Sequence, residues 1–447
     1  MAMDQTAGQA GSGWRTRGTR NPAVILGILY LLNMLLVLDK VIFTVLLEPI
    51  KAEFRLSDLQ LGFLTGSVYA VFMGIASLPM GLAADRYSRR GLAAGCLAAW
   101  SAMTAMCGMA QSYATLLLAR LGVGVGEAGG GPVSLSIIAE LYEHRRRATA
   151  MAIFALGTPT AALINLTLNT QIVHHFGWRV ALFCAAVPGL LLALAIWLFV
   201  DEFGPVEAST KSREKVRKPP LRETAAFVLR QRSLVHLLIG AMTAFIVLAG
   251  VSSWNFSYLV REFKANLHEI GPYLGVSIAA ASFVSMYLSA RLADFLGQRD
   301  ERWRGRVMAV TTAASVGFGV LTFTTDSLAV AIVGTAGIAA FATLWMAPAY
   351  ALCQSLVPPQ MRGTIGATMF LLANLVGYGI GPMLVGFLSD RFGALGFDNS
   401  LQVSIIVVLL ANLLAAFHFL RVGVTLEQDL QAVGEKPRPG EATGFGH

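Results

Sequence analysis

The sequence predicts an all-α membrane protein whose twelve spanning helices form two pseudo-symmetric six-helix bundles. Three observations carry this prediction. Apolar residues make up 55% of the 447 positions and charged residues only 13%, about half the charged share of a soluble domain. The apolar residues fall in runs long enough to cross a bilayer. The second half of the chain also echoes the first.

A spanning helix needs roughly 20 mainly apolar residues, and helices suit lipid because each satisfies its own backbone polar groups. Runs of that kind lie at about 22–47, 60–84, 91–110, 113–139, 148–172, 179–200, 233–260, 271–293, 307–325, 327–356, 364–389 and 400–420. Arg15, Arg17 and Arg20 precede the first run as in a signal peptide. That run continues past Asp39 and Lys40 to Leu47 with no small-residue cleavage site, so it reads as an uncleaved first span.

The formal net charge of +8 does not point to nucleic acid, because of where it lies. With both chain ends placed in the cytoplasm, 26 of the 34 Lys and Arg fall in cytoplasmic segments. Lys51, Arg55, Arg179, Arg261, Lys264 and Arg391 fall outside, and Lys40 and Arg120 lie within spans. This asymmetry is the one that sets membrane orientation. An integral inner (plasma) membrane protein with both termini cytoplasmic is expected, in contact with the lipid bilayer and monomeric.

The longest polar interruption, 201–232, separates six spans from six and reads as a cytoplasmic linker. Residues 21–200 and 233–422 are then the two bundles. Residues 1–20 and 423–447, rich in Gly, Pro and charge, are expected to be a disordered cytoplasmic N-terminus and tail. The halves match at one offset: Pro132 with Pro348, Arg146 with Arg362, Phe154 with Phe370. A second echo pairs "GLAADRYSRR" (Gly81–Arg90) with "ARLADFLGQR" (Ala290–Arg299), setting Asp85 against Asp294. Parallel repeats of this kind place a binding site at their interface.

Four charges stand at membrane depth. Asp39 and Lys40 lie in the first span. Arg120 and Glu127 lie in the fourth, seven residues or two turns apart and so on one face. Charges at that depth cost several kcal/mol unless they face a cavity and pair. A carboxylate in a partly dry cavity holds protons more readily, and a nearby Arg opposes this. A cluster of Asp39, Arg120 and Glu127 would change its proton affinity as substrate or solvent enters. A structural ion pair joining the first and fourth spans is the plainer alternative.

The fourth span also contains "GVGEAG", which matches a dinucleotide fingerprint. No strand precedes it, and the motif needs strand–turn–helix context. Its glycines are read as thinning the helix for close packing. Spans 7, 8, 10 and 11 carry no charge within their cores. They offer Trp254, Asn255, Tyr258, Phe341, Trp345, Asn374 and Tyr378 as a half-cavity, apolar with scattered hydrogen-bonding groups. Cys96, Cys107, Cys184 and Cys353 have no paired spacing and read as packing residues. His174 and His175 read as an interfacial pair at a span end. No metal, cofactor or catalytic constellation is expected, and the chain is not read as an enzyme.

"GLAADRYSRR" resembles the signature loop of the major facilitator superfamily. Gly81 allows close helix approach. Asp85, with Arg86, Arg89 and Arg90 and its counterpart Asp294, would form a cytoplasmic gate that closes and opens with the transport cycle. "GFLSDRFG" (Gly386–Gly393) would latch the other face. More narrowly, the chain resembles the spinster branch in Asp39-Lys40, in the Ser-Asp-x-Gln-x-Gly-x-Leu segment from Ser57 to Leu64, and in Gly126–Ala128. Lys40 stands where the branch usually has Arg. The resemblance implies a secondary transporter working by alternating access. Asp39 and Glu127 would couple protons, with Arg120 and Lys40 as substrate or charge partners. It implies an amphipathic anionic substrate such as a lysolipid or sphingoid phosphate. A multidrug/proton antiporter or an organic-anion symporter of the same fold is the alternative.

Overall fold

The computed structural model describes residues 19, 21–201, 220–297, 300 and 302–433. It is almost entirely helical. We number the spans α1 (Pro22–Phe54), α2 (Asp58–Gly62, a π-helical turn Phe63–Ser67, then Val68–Arg86), α3 (Arg89–Gly108) and α4 (Tyr113–Glu127 and Gly130–Leu141). α5 comprises His144–Ala155, Gly157–Ile164 and the π-helical turn Asn165–Asn169, and continues into Thr170–Phe199 as far as Gly177; α6 is the remainder of that helix. The second half holds α7 (Arg232–Phe263), α8 (Leu267–Gly297) and α9 (Arg302–Thr324). α10 is Leu328–Phe341 with Met346–Ser355. α11 is Arg362–Leu371, a π-helical turn Leu372–Tyr378 and Gly379–Ala394, and α12 is Ser400–Val433.

Ten helical stretches among the described residues are long and apolar enough to span a membrane. Two features relate these ten to twelve spans. The 55-residue stretch Arg145–Phe199 holds two spans, divided where Gly177 takes φ 84°, a conformation glycine adopts without steric cost. α4 is broken at Ala128–Gly129 into pieces of 15 and 12 residues, each too short to qualify alone.

The ends are set locally. Asn21 caps α1 by accepting from the Ala23 N–H, with Pro22 at the first helical position. Ser57 with Gln60 forms a capping box on α2, and Ser112 with Thr115 does so on α4. α1 and α7 end in left-handed residues, Arg55 and Lys264.

Two of the expected segments gain detail. The linker is partly helical: Leu221–Arg230 forms an amphipathic helix whose Phe227 and Val228 pack on the C-terminal core; residues 202–219 lie outside the described residues. The tail does not begin at 423, because α12 runs on to Val433. Val422, Leu426 and Leu430, spaced by four, put three buried side chains on one helical face. The Asp429 carboxylate accepts from the Ser233 N–H at the start of α7 (2.8 Å). Residues 434–447 lie outside the described residues, as do 1–18 and 20; Thr19 pairs with Val200, joining the two ends of the first half.

The cores show how the halves meet. On the face carrying the chain ends, α7 and α9–α12 enclose a core of their own, from Leu234 to Leu430. Toward the opposite face, Val247, Val251, Trp254 and Leu259 of α7 join the core of the first half. The halves are therefore packed together at the opposite face. Glycines permit that contact: a Cβ on Gly66 would overlap the carbonyl oxygen of Tyr378, and one on Gly386 that of Asp58.

Candidate functional site

The break in α4 leaves Glu127 as the last residue of its first segment. Gly124 lies so near α2 that a Cβ there would come 2.7 Å from the Tyr69 carbonyl oxygen. That approach brings the Tyr69 hydroxyl to Glu127, whose Oε2 accepts its hydrogen bond at 2.5 Å. The close-packing role read for the α4 glycines thus has a direct consequence for the site.

Asp39, Arg120 and Glu127 are 4%, 1% and 3% exposed, and they lie together with Lys40. Their contacts differ from the expected acid–Arg cluster. Thr104 of α3 donates its hydroxyl to the Asp39 carboxylate, 2.8 Å from each oxygen. Among the described residues Arg120 makes no ion pair within 4.0 Å of either acid. Its Nη1 donates to the Asp39 carbonyl (3.2 Å), and its guanidinium lies 4.3 Å from the Phe43 ring centre and 5.0 Å from that of Tyr69. The planar, weakly hydrated guanidinium suits stacking on rings. Lys40 donates to Asn374 Oδ1 of α11 (3.3 Å), with Tyr69 and Tyr378 on either side at 5.5 and 5.9 Å. Among the described residues Arg120 Nε and Glu127 Oε1 have no hydrogen-bond partner. Ionised, the four groups sum to zero charge.

One turn beyond Lys40 the wall becomes apolar. A cavity of about 160 Å³ lies between the halves, lined by Val41 and Thr44 of α1, Asn165 and Leu166 of α5, and Leu248, Val251 and Asn255 of α7, with further residues of α8 and α10. Its few polar groups are partnered: Asn165 donates to the Val41 carbonyl (3.0 Å), and Asn255 to Thr335 (3.3 Å).

Of the seven residues expected to line the C-terminal half-cavity, Asn255 borders this cavity and Asn374 and Tyr378 surround Lys40. The other four pack elsewhere. The Trp254 indole is fully buried and donates to the Pro382 carbonyl (2.8 Å), tying α7 to α11. Tyr258 sits edge-on to Phe323. Phe341 stacks on Phe318, and Trp345 is buried against Phe245 and Phe419. None of the four lines this cavity.

Of the expected gate residues, Gly81, Asp85, Arg86 and Asp294 lie in α2 and α8, but their placement beyond the backbone is outside what the structure describes. Arg89 is buried and pairs with Glu140, while Arg90 donates to the Val200 carbonyl (3.2 Å) and covers Trp197. These contacts join helix ends within the first half.

The opposite face holds a cross-half latch that sequence reasoning saw only in part. Buried Asp58 at the start of α2 accepts from Arg261 of α7 (2.7 and 2.8 Å), from Ser389 of α11 (2.7 Å) and from Lys51 of α1 (2.6 Å). Arg261 also donates to Glu48 (3.0 Å). Asp390, within the segment expected to latch this face, caps α2 from the other half by accepting from the N–H groups of Asp58 and Leu59 (3.0 and 2.9 Å). Gln171 of α5 donates to the His268 carbonyl of α8, and the His174 and His268 rings stack at 3.5 Å.

Two six-helix halves are closed on one face with buried charge at their seam, and residues 29–377 match the Major Facilitator Superfamily. The chain belongs to that superfamily and is a transporter of it. Within the superfamily it is spinster-like. Protein spinster homolog 1 of Rattus norvegicus is 26% identical over 439 residues, covering 91% of this chain and 81% of that protein. An MFS-type efflux pump of Mycolicibacterium smegmatis is 31% identical over 375 residues, 83% of this chain and 86% of that one. A bacterial homologue of the human lysosomal transporter Spinster, crystallised inward-facing and unoccupied, superimposes with a TM-score of 0.78 at 25% identity, covering 92% of this chain and 99% of that chain.

Proposed function

We propose that this transporter is proton-coupled and moves an amphipathic anion, such as a lysolipid or sphingoid phosphate, across the inner membrane. Both termini are cytoplasmic in this reading, following the Lys and Arg asymmetry, and the protein works as a monomer. The latched face is then the outer one. The observation that carries the proposal is the buried quartet of Asp39, Lys40, Arg120 and Glu127 beside an apolar cavity. Protonating one acid leaves the set with a net positive charge in a low-dielectric site, which favours an anion there. A tail of about ten methylenes in the cavity would contribute about 8 kcal/mol at roughly 0.8 kcal/mol each.

The test is transport of a lysolipid or sphingoid phosphate by reconstituted protein, with and without an imposed pH gradient. Transport should follow the gradient, and Glu127→Gln should remove the pH response while leaving the protein folded. An unaltered response in that variant would place proton coupling elsewhere. The similarity to an efflux pump favours a second reading, export of amphipathic drugs. Arg120→Ala separates the two, since it should weaken anionic ligands and spare cationic ones.

A further inference from the structure

Lys40 is unlike the other three buried charges. Asp39 is held by Thr104, Arg120 by the Asp39 carbonyl, and Glu127 by Tyr69, all within the first half. The hydrogen bond of Lys40 crosses the seam to Asn374. Asn374 is oriented for it. Its Nδ2 donates to the Phe370 carbonyl (3.0 Å), which turns Oδ1 toward the ammonium. It is buried within the π-helical turn Leu372–Tyr378, whose last residue sets its own ring beside Lys40. π-helical turns of this kind recur at functional sites.

We infer that Lys40 transmits the charge state of Glu127 to the C-terminal half, turning to Glu127 when that acid is ionised and to Asn374 when it is neutral. The inference rests on the proton-coupling reading above and goes beyond it by naming the route to the other half. The groups facing Lys40 leave this choice open. Glu127 lies within its electrostatic reach and keeps Oε1 unpartnered among the described residues. Arg120 is occupied by the Phe43 and Tyr69 rings. Both carboxylate oxygens of Asp39 accept from Thr104. The Tyr69 hydroxyl is committed to Glu127, Tyr378 offers its ring face, and Cys107 lies behind Arg120 and Asp39. The structure shows the arrangement expected for neutral Glu127, with the Lys40–Asn374 bond made and the outer face shut. A bond that joins the halves in one state only is a contact that can bias the two states.

The test is a distance measurement by electron spin resonance between labels at the exposed positions 52 and 262, on α1 and α7 at the outer face, across a pH series. In the wild type the closed population should rise as pH falls. Asn374→Leu should lower the closed-to-open ratio at low pH by about tenfold, the loss of one charge-assisted hydrogen bond, and flatten the pH response. Asn374→Asp should hold Lys40 at every pH and keep the ratio high and constant, which a folding defect would not do. If both variants keep the wild-type pH response while Glu127→Gln removes it, Lys40 is not the route and the inference falls, with the proton site intact. If Glu127→Gln keeps the response too, the proton site itself falls and the inference with it.

Discussion

Asp58→Asn should open the latched face, and the structure sets the size of the effect. The Asp58 carboxylate accepts from Lys51, twice from Arg261, and from Ser389. Lys51 belongs to the same half, so its bond persists however the halves rock. Arg261 and Ser389 come from the other half, and their bonds exist only when this face is closed. Only such differential contacts shift the equilibrium. Breaking a buried ion pair costs about 3–5 kcal/mol. Arg261 is 26% exposed at its side chain and keeps Glu48, which reduces the cost to about 2 kcal/mol, or roughly thirtyfold in the closed-to-open ratio. Spin labels at positions 52 and 262 would read this as a long-distance population larger than that of the wild type at the same pH. Lys51→Met removes a charge from the same network but no cross-half bond, and should shift the distribution far less. Unchanged distances in Asp58→Asn, or equal shifts in the two variants, would refute the assignment of Asp58 and Arg261 as the latch.

Three further outcomes are expected. Gly66→Val would drive a side chain into the Tyr378 carbonyl, so the latched face should fail to close, seen as a longer distance between spin labels at positions 52 and 262. Arg120→Lys keeps the charge but loses the planar stack on Phe43 and Tyr69; binding of an anionic amphiphile, measured by calorimetry, should weaken about tenfold. A cysteine at position 215, in the linker, should resist an external impermeant maleimide in intact cells and react after lysis; labelling from outside would invert the proposed topology.

Much of the architecture was legible because its physics is coarse. A span announces itself by some twenty apolar residues, and Asp39, Lys40, Arg120 and Glu127 stood out because charge within such a run demands a partner. Their partners were not legible. Thr104 and Tyr69 are ordinary residues in apolar helices, and only the packing of α2 and α3 assigns them. The aromatic residues failed as indicators for the same reason. Trp254 and Trp345 are as apolar facing their own bundle as facing a cavity, so composition does not say which they do. Asp58 and Arg261 were visible only as charges near span ends. What joins them is a cross-half contact between residues some two hundred positions apart, which no local pattern encodes.

The three π-helical turns among the described residues explain why the seam resists a reading by helical period. They lie at Phe63–Ser67, Asn165–Asn169 and Leu372–Tyr378, in α2, α5 and α11, each of which packs against the other half. A π-helical turn accommodates one extra residue, so the faces before and after it are rotated by roughly 100°, one residue's share of a 3.6-residue turn. In α11 this lets Gly381 and Gly386 pack closely on α7 and α2 while Asn374 and Tyr378 still face Lys40. A regular helix would keep one stripe and sacrifice one of those contacts. Helices that must both close a face and present polar groups to the central site therefore need two stripes. The extra residue that supplies the second is what breaks the 3.6-residue pattern where the site is built.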